Sequence, residues 1–349
     1  MKYRLVRFLP GIRVLWVSNK ILWATKQNNI ITSRDHGQSW ASVTTISVPP
    51  IQYVLSRIEL CRRLLRLGIR SYVQVNDREF VAFSNGVIFR WRQGDRRPIR
   101  IGDVRHGSGP LLQGCCADDK ADCYYGEYWR NPGGDETHIY KLSSQSMRWE
   151  VFYTFSRGAI RHIHAVQFDP ISKALWVATG DDDKQCQIGY FKKSSSVPEL
   201  VTIVSGSQMA RAVSLLFTRD YVYWGTDAGR GTRVKANHMY RWSRQNGRIE
   251  QVGQVGAPVY YSIVDEKERL FVSTVVEGSA SEPDRFARVW MSENGLCWEE
   301  IGRWNKDKYP FLFGYGVLSF PGGLPADSKM YVIGNGVDQS TGTWVLEEV

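Results

Sequence analysis

The stretch "RHIHAVQFDP", residues 161–170, holds the densest group of side chains that could carry out chemistry. His162 and His164 are two residues apart, so on a β-strand they would share one face. Two imidazoles on one face can bind a metal ion, or one of them can accept a proton from a substrate. Two hydrogen-bonded core histidines would give the same pattern. The sequence therefore leaves a functional and a structural interpretation of this pair open.

Further reactive side chains follow apolar, strand-like segments elsewhere in the chain. We assign catalytic roles to five residues, namely Tyr128, Glu127, Arg211 and the two histidines His162 and His164. Substrate-binding roles are assigned to seven more, namely Arg161, Trp129, Asp181, Asp182, Asp227, Tyr260 and Tyr261. The acidic run at 181–183 could equally be a solvated loop or a set of calcium ligands. We assign no metal ligand and no cofactor, although the pattern would also permit a structural or catalytic divalent cation.

These residues need a scaffold that brings distant segments together, and the chain shows an internal repeat. Short alternating runs group into units of four strands, whose fourth strands begin near Trp40, Ile99, Trp149, Glu199, Ile249 and Trp298. The C-terminus adds three strands, "YGVLSF", "KMYVIGNG" and "GTWVLEEV", and the N-terminal run "YRLVRFL" supplies the missing fourth. Pairing that run with the C-terminal strands would remove exposed sheet edges. We therefore predict an all-β, seven-bladed β-propeller, a single domain over residues 1–349 that is closed by its N-terminal strand.

The propeller geometry predicts which loops lie together. The innermost strand of each blade begins at the top face, and the loops between second and third strands lie on the same face. These loops are long in the third to sixth units: "GEYWRNPGGDET", "GDDDKQC", "GTDAGRGTRVKAN" and "VVEGSASEPDRF". Long loops on one rim commonly carry function. The candidate carboxylates, histidines, tyrosines and arginines are thus expected to converge on the top face.

A motif between third and fourth strands points to a family. Ser33, Asp35, Gly37 and Trp40 form S-x-D-x-G-x-x-W, which recurs with Asn294 for Asp in "SENGLCW" at 292–298. The segments at 143–149 and 243–249 look like weaker copies. The motif resembles the Asp-box of the sialidase-like (BNR repeat) propellers, and the chain also resembles propellers associated with bacterial surface-polysaccharide gene clusters. Chemically, Asp or Asn caps turn amides and Gly takes positive φ, so we expect a turn opposite the active face rather than a catalytic Asp35.

The segment 51–68 differs from the repeats. Within it, "SRIELCRRLLRLG" at 56–68 alternates leucines with arginines, has a capping-box pattern at Ser56 and Glu59, and ends at Gly68. It predicts a short basic amphipathic helix that begins near Ser56 and lies on the top side. Such a helix could make a peripheral contact with an anionic membrane, or it could simply cover the propeller rim.

The formal net charge of +10 favours an acidic partner. No nucleic-acid-binding motif is visible, so an acidic oligo- or polysaccharide is the expected partner. The arginines near the N-terminus interrupt any signal-peptide-like apolar core, and no run reaches the ~18 apolar residues of a membrane span. The six cysteines lack regular spacing. We predict a cytoplasmic monomer.

Two classes of function fit these observations. The first is an enzyme that cleaves an acidic glycan. A lyase could use His162 or His164, or Tyr128 or Tyr260, to remove the proton next to a uronate carboxylate, with Arg161 or Arg211 neutralising that carboxylate. A hydrolase could use two carboxylates, or a carboxylate with a tyrosine, on either side of the bond, with Glu127, Asp181 and Asp227 as the candidate carboxylates. The paired histidines and the positive charge favour the lyase. The second class is a non-catalytic propeller that binds a glycan or a protein, because fold does not determine function.

Overall fold

A computed structural model describes residues 3–18, 21–146, 148–193, 197–323, 329–338 and 341–349. Their strands form seven separate sheets, and each sheet is one blade with four strands in the meander order of a propeller. The predicted seven-bladed β-propeller is confirmed. One blade carries a fifth, very short strand at its inner edge.

In blades one to six, the four strands follow one another along the chain. Blade one contains β2 (Ile12–Ser18), β3 (Ile21–Lys26), β4 (Asn29–Ser33) and β5 (Ala41–Thr45). Blade two contains β6 (Ile69–Asn76), β7 (Glu79–Ser84), β8 (Val87–Arg92) and β9 (Ile99–Asp103). Blade three contains β10 (Cys115–Ala117), β11 (Cys123–Gly126), β12 (Thr137–Leu142) and β13 (Trp149–Phe155). Blade four contains β14 (His162–Asp169), β15 (Ala174–Gly180), β16 (Gln187–Phe191) and β17 (Leu200–Ser205).

The remaining blades have the same plan. Blade five contains β18 (Leu215–Phe217), β19 (Tyr221–Gly225), β20 (Asn237–Ser243) and β21 (Ile249–Gly256). Blade six contains β22 (Val259–Val264), β23 (Leu270–Thr274), β24 (Phe286–Ser292) and β25 (Glu299–Asn305). Blade seven contains β26 (Val317–Ser319), β28 (Lys329–Asn335), β29 (Gly342–Glu348) and the N-terminal β1 (Tyr3–Pro10). The short β27 (Gly322–Gly323) pairs in parallel with β2 of blade one.

Closure by the N-terminal strand is as predicted. β1 lies antiparallel to β29 at the outer edge of blade seven, with Tyr3 opposite Glu348 and Pro10 opposite Gly342. The ring of Phe8 lies 4.8 Å from that of Trp344, centroid to centroid. Blade seven is therefore assembled from both ends of the described chain.

The core lies between the blades, because each sheet is covered on both faces by its neighbours. The second strands are accordingly the most apolar: all seven residues of β15, "ALWVATG", are buried. The outer strands are mainly exposed or half-buried, as in β13. Large aromatic side chains fill the space between blades, and Trp176 of blade four packs 5.7 Å from Trp242 of blade five. Burial of this apolar surface is the main stabilising contribution expected for such a packing.

In the turn between β4 and β5, Asp35 caps backbone amides, as predicted. Its Oδ1 accepts hydrogen bonds from the backbone amides of Gln38 at 3.0 Å and Ser39 at 2.9 Å. The hydroxyl of Ser33 accepts from the amide of Gly37 at 2.8 Å, and Gly37 has a φ of +83°. This turn lies at the end of the sheet opposite the start of β14, so Asp35 is far from the predicted active face.

The related turns retain these features to different extents. Between β24 and β25, Asn294 accepts hydrogen bonds from the amides of Leu296 and Cys297, both at 2.9 Å. The copy at 243–249 retains a glycine with positive φ, Gly247 at +72°. The copy at 143–149 includes Met147, which lies outside the described residues.

The insertion after blade one is not the single helix predicted from Ser56. It forms two short helices, α1 (Pro50–Ser56) and α2 (Glu59–Leu64). Pro50 occupies the first turn of α1, where its missing amide hydrogen costs nothing. The capping box does not form, because Ser56 ends α1 and its hydroxyl donates to the carbonyl of Tyr53. Among the described residues, none of the helices has the length and apolarity needed to cross a membrane.

Both helices rest on the top rim. The Arg63 side chain is only 2% exposed and reaches Asp307, with 2.5 Å between Nη1 and Oδ2. Its Nε donates to the carbonyl of Phe313 at 2.7 Å. Gln52 accepts a hydrogen bond from Asn85 of blade two. The insertion therefore bridges the connection after blade six and the top of blade two.

Candidate functional site

The centre of the candidate site is built where two strands of blade four meet the top face. β14 begins at His162, whose Cα partner on β15 is Gly180. Asp181 follows β15 directly and therefore lies beside His162. The register shifts at His164, which is the mark of a bulge in the inner strand.

A glycine is required at position 180 because the His164 ring lies very close to its Cα, and not because of its backbone conformation. A Cβ atom at this position would lie 2.5 Å from Cε1 of His164. Real Cβ contacts are longer, so any larger residue would displace the imidazole. The glycine thus fixes the position of His164 over the end of β15.

Three side-chain atoms converge at this point. Nε2 of His162 lies 3.0 Å from Nε2 of His164. Oδ1 of Asp181 lies 3.4 Å from the former and 3.3 Å from the latter. Both imidazoles are buried, whereas the Asp181 side chain is 25% exposed. The three residues form the cluster of the described chain whose geometry could hold a metal ion.

The other ring nitrogens of both histidines face backbone carbonyls. Nδ1 of His162 lies 2.8 Å from the carbonyl oxygen of Trp129, and Nδ1 of His164 lies 3.2 Å from that of Ala212. A carbonyl can only accept, so each Nδ1 carries the hydrogen. In the neutral rings both Nε2 atoms then present lone pairs toward Asp181.

Two arginines contact Asp181 from different blades. Nη1 of Arg161 lies 3.1 Å from Oδ2, and Nη2 of Arg211 lies 3.3 Å from Oδ1. Arg211 also contacts Asp227, with 3.3 Å between Nε and Oδ2. The Arg161 side chain is 42% exposed, whereas that of Arg211 is only 11% exposed. Arg161 is therefore the arginine that a ligand could reach.

The surroundings set distinct protonation preferences. Burial lowers the pKa of His164 to about 4, although Asp181 acts in the opposite direction. Burial disfavours the charged form of Asp181, but the contacts with His162 and His164, which become hydrogen bonds when a ring carries a proton on Nε2, outweigh it and hold the pKa of Asp181 well below the usual range. Burial also opposes the charge of Arg211, and the nearby Asp227 and Asp181 nevertheless raise its pKa. At neutral pH the site thus combines a neutral imidazole, a carboxylate and a guanidinium.

Asp227 occupies the equivalent place on blade five but behaves differently. It is 3% exposed, and its Oδ1 has no hydrogen-bond partner among the described residues. Burial raises its pKa well above the usual range, against the effect of Arg211. The neighbouring carboxylates Glu277 and Asp181 add to this shift.

Tyrosines line the same region. The ring of Tyr128 lies 4.5 Å from that of His162, and the guanidinium of Arg70 lies 5.7 Å from the Tyr128 ring centroid. The hydroxyl of Tyr260 donates to Glu277 at 2.7 Å. Burial raises the pKa of Tyr128 and of Tyr260. Their hydroxyls are therefore proton donors at neutral pH.

Two aromatic candidates lie at the periphery of this group. The rings of Tyr261 and Tyr260 are 6.0 Å apart and nearly perpendicular. Trp129 stacks on His106, with 4.4 Å between ring centroids, while its carbonyl holds His162. Trp129 is half-buried, so part of its indole surface is open to a ligand.

Two predicted residues are not brought into this group. Glu127 is completely buried and accepts hydrogen bonds within its own blade, from the amide of His138 at 2.8 Å and the hydroxyl of Tyr140 at 3.4 Å. The side chain of Asp182 is exposed, and its carbonyl accepts from the amide of Gln185. The catalytic role of Glu127 and the binding role of Asp182 stay predictions, without a contact to the histidine pair in the described structure.

Sequence reasoning missed Arg70 and Glu277. Arg70 lies in the inner strand of blade two, where no other reactive residue drew attention to it. Glu277 could have been found by comparing blades: an acidic residue follows the second strand in four consecutive blades, as Glu127, Asp181, Asp227 and Glu277. The Oε1 of Glu277 accepts from the amide of Arg230 at 2.6 Å, which ties the top loops of blades five and six together.

No protein-family model matches the chain, and no curated protein matches it in sequence. Solved structures do share its fold. The extracellular domain of a hybrid two-component system from B. thetaiotaomicron is 14% identical with a TM-score of 0.59, over 99% of this chain and 39% of that one. A GH74 xyloglucanase from Xanthomonas campestris is 14% identical with a TM-score of 0.58, over 86% of this chain and 46% of that one.

A third neighbour is of similar size. The WD40 β-propeller domain of Doa1 is 10% identical with a TM-score of 0.59, and the match covers 99% of this chain and 97% of that one. The chain thus spans less than half the length of the first two proteins. At these identities the similarity shows the propeller fold alone.

Proposed function

We propose that this propeller is a carbohydrate-active enzyme that cleaves an acidic glycan at the top-face site, by elimination. One observation carries the proposal: two buried imidazoles with free Nε2 lone pairs and a half-exposed arginine share a single carboxylate, Asp181. Two proton acceptors and a cation that could bind a carboxylate therefore all contact Asp181.

Elimination from a uronate needs these groups. The sugar carboxylate must be neutralised so that the neighbouring carbon can lose its proton to a base. The electrons of that C–H bond form a carbon–carbon double bond as the glycosidic C–O bond breaks, and the leaving oxygen takes up a proton. Arg161 is suited to the first task because it is accessible and can form paired hydrogen bonds with a carboxylate.

The proton transfers can be assigned to groups around Arg161. The imidazoles of His162 and His164 are the candidates for removing the proton, whereas Tyr128 could do so only after losing its own proton, because burial raises the pKa of its hydroxyl. We assign the return of the proton to Tyr260, whose hydroxyl is protonated and is positioned by donating to Glu277. Positioning of such groups around a bound sugar supplies most of the acceleration expected of an enzyme.

Hydrolysis finds less support in the geometry. It needs two carboxyl groups, or one carboxyl group with a tyrosine, on either side of the scissile bond. Of the three candidates, Glu127 is completely buried inside its blade and Asp227 is 3% exposed. Only Asp181 is accessible, and it is already held by two arginines. Elimination is therefore the better fit.

The overall charge and the structural neighbours support a glycan as substrate. The net charge of +10 favours a polyanion. A xyloglucanase is among the proteins with this fold, so a propeller of this type can accommodate glycan cleavage in at least that enzyme.

The test is a screen of acidic oligosaccharides, with products analysed by mass spectrometry. Elimination gives products whose masses sum to that of the substrate, with an unsaturated uronate absorbance, whereas hydrolysis adds one water. On an active substrate, Arg161→Gln should reduce kcat/KM by about 100-fold or more, the effect of removing one charge-stabilising donor.

Arg157→Gln is the matched control. Arg157 lies four residues earlier in the same connection, is 74% exposed and pairs only loosely with Asp135 at 3.4 Å. Its substitution should leave turnover unchanged. Equal losses in both variants would contradict the proposed site. Saturable binding of an acidic glycan without any product would instead identify a glycan-binding propeller and overturn the proposal of catalysis.

A further inference from the structure

Three atoms with lone pairs face one another at the start of β14. They are Nε2 of His162, Nε2 of His164 and Oδ1 of Asp181, with separations of 3.0, 3.3 and 3.4 Å. Because both Nδ1 atoms carry the hydrogen that binds a carbonyl, neither neutral imidazole has a donor on this side. Arg211 already contacts Oδ1 of Asp181 at 3.3 Å, but the two buried Nε2 lone pairs face each other without a donor, which is unfavourable unless a cation or a proton lies between them.

A proton would satisfy this arrangement incompletely. An N–H group on one imidazole could be donated to the other ring or to Asp181. It could not serve both with good geometry, because a hydrogen bond requires a nearly linear donor. A cation at the centre of the triangle would contact all three atoms at once.

The separations match the coordination geometry of a transition metal. Zinc binds imidazole nitrogen and carboxylate oxygen at about 2.0–2.2 Å. Tetrahedral ligands at that distance lie about 3.3–3.6 Å apart, and neighbouring octahedral ligands lie about 2.8–3.1 Å apart, on the same bond lengths. The observed values of 3.0 to 3.4 Å fall within these limits.

The surrounding contacts are those of a metal centre. Histidine ligands commonly donate their second N–H to a backbone carbonyl, which fixes the tautomer and the ring orientation. Both histidines do so here, to Trp129 and Ala212. The carboxylate is held at Oδ2 by Arg161 at 3.1 Å. Gly180 leaves the space that the His164 ring occupies.

We propose that His162, His164 and Asp181 bind one divalent transition-metal ion, with its remaining coordination positions open toward the top face. Two imidazoles and one carboxylate suit zinc, iron or manganese more than calcium, which takes oxygen ligands. The accessible side of Asp181 provides the entry path, since its side chain is 25% exposed.

The metal centre stands independently of glycan cleavage. If both proposals hold, His162, His164 and Asp181 would hold the ion, which would help Arg161 to neutralise the sugar carboxylate. The Nε2 atoms would then be occupied, and Tyr128 would take the proton only after losing its own to solvent, a loss that a nearby cation favours. A protein that binds the ion without cleaving any glycan retains the metal centre and loses the proposed function. A protein that binds no ion and still cleaves a glycan after chelation retains the proposed function and loses the metal centre.

The experiment uses the full chain with Cys297→Ser, which removes the exposed thiol as a competing ligand. After treatment with a chelator, Co²⁺ is added and its visible absorption and binding isotherm are recorded, with elemental analysis for stoichiometry. We expect one ion per chain. His164→Ala and Asp181→Asn should each weaken binding by at least about 100-fold, the upper range for loss of even an indirect ligand contact.

His106→Ala is the matched control, because this half-buried histidine lies at the same rim, stacked on Trp129, outside the three-residue cluster. Its ion binding should equal that of the parent. Circular dichroism establishes that each variant is folded. Absence of Co²⁺ binding by the parent overturns the proposal, whatever the variants do. Binding that is unchanged in folded Asp181→Asn also overturns it.

Discussion

Substitution of Leu9 by alanine tests whether the N-terminal strand closes the ring. Leu9 lies near the end of β1, is 5% exposed and belongs to a buried cluster that includes Val14 and Leu22 of blade one. It therefore packs blade seven against blade one, in addition to the pairing of β1 with β29. Truncation of a buried leucine typically costs about 2–4 kcal/mol. The unfolding equilibrium constant should rise about 30- to 700-fold, since each 1.4 kcal/mol is about tenfold.

Leu5→Ala is the matched control on the same strand. Leu5 also pairs with β29, opposite Leu346, but its side chain is 52% exposed. We expect a change within about 0.5 kcal/mol, as for surface substitutions in general. Unfolding in urea should be followed by tryptophan fluorescence and by circular dichroism, because coincident curves justify a single free energy. A cost at Leu9 no larger than that at Leu5 would refute the idea that this contact closes the propeller.

Three further predictions address the turn, the insertion and the site. Asp35→Ala should lower the midpoint of thermal unfolding, because turn amides lose their acceptor, while glycan cleavage at 25 °C should be unchanged; lost cleavage would contradict a purely structural turn. Burial of Asp307 opposes its charge, but hydrogen bonds from Arg63 and Lys306 outweigh it and lower its pKa. Its stabilising effect is thus present above the unfolded pKa and lost as pH falls through the folded one. The stability difference between the parent and Asp307→Asn should shrink below about pH 4, and a pH-independent difference in urea unfolding would contradict this reasoning. Gly180→Ala should displace the His164 ring and therefore weaken Co²⁺ binding, while the circular dichroism of the chain stays unchanged. Retained Co²⁺ binding would contradict this and show that the ring can move aside.

The fold could be predicted from the sequence because each blade repeats the same pattern of strands and turns. Short alternating strands ended by turn residues predicted fourth strands at Ile99, Trp149 and Ile249, which is where β9, β13 and β21 begin. The three-residue β10 escaped notice because "CCA" is too short to show alternation. The sequence predicted one helix from Ser56 because no glycine or proline marks the break between α1 and α2, and α1 lies before that predicted start. Their relation to the rim depends on Arg63, whose distant partners no local pattern reveals.

The candidate site could be predicted from the sequence only in part. The spacing of His162 and His164 predicted a shared face, and their Nε2 atoms are indeed 3.0 Å apart. The bulge at His164 and the space left by Gly180 were not predictable, since both depend on pairing with β15. The direction of the Glu127 side chain was not predictable either. Its position after a second strand matches that of Asp181, but its side chain turns into the blade to accept the amide of His138.

The two carboxylates on either side of Arg211 explain how one site could hold both a guanidinium and a metal ion. Arg211 contacts Oδ1 of Asp181, the same oxygen that faces the histidines. An incoming cation would compete with it for that oxygen. Asp227 offers Arg211 an alternative, because its Oδ2 already accepts a contact from Nε and its Oδ1 has no hydrogen-bond partner in the described structure. A small shift toward Asp227 would give that buried oxygen a donor and free Oδ1 of Asp181. If the proposed ion binds, Oδ1 of Asp227 would thus be the acceptor toward which Arg211 could move.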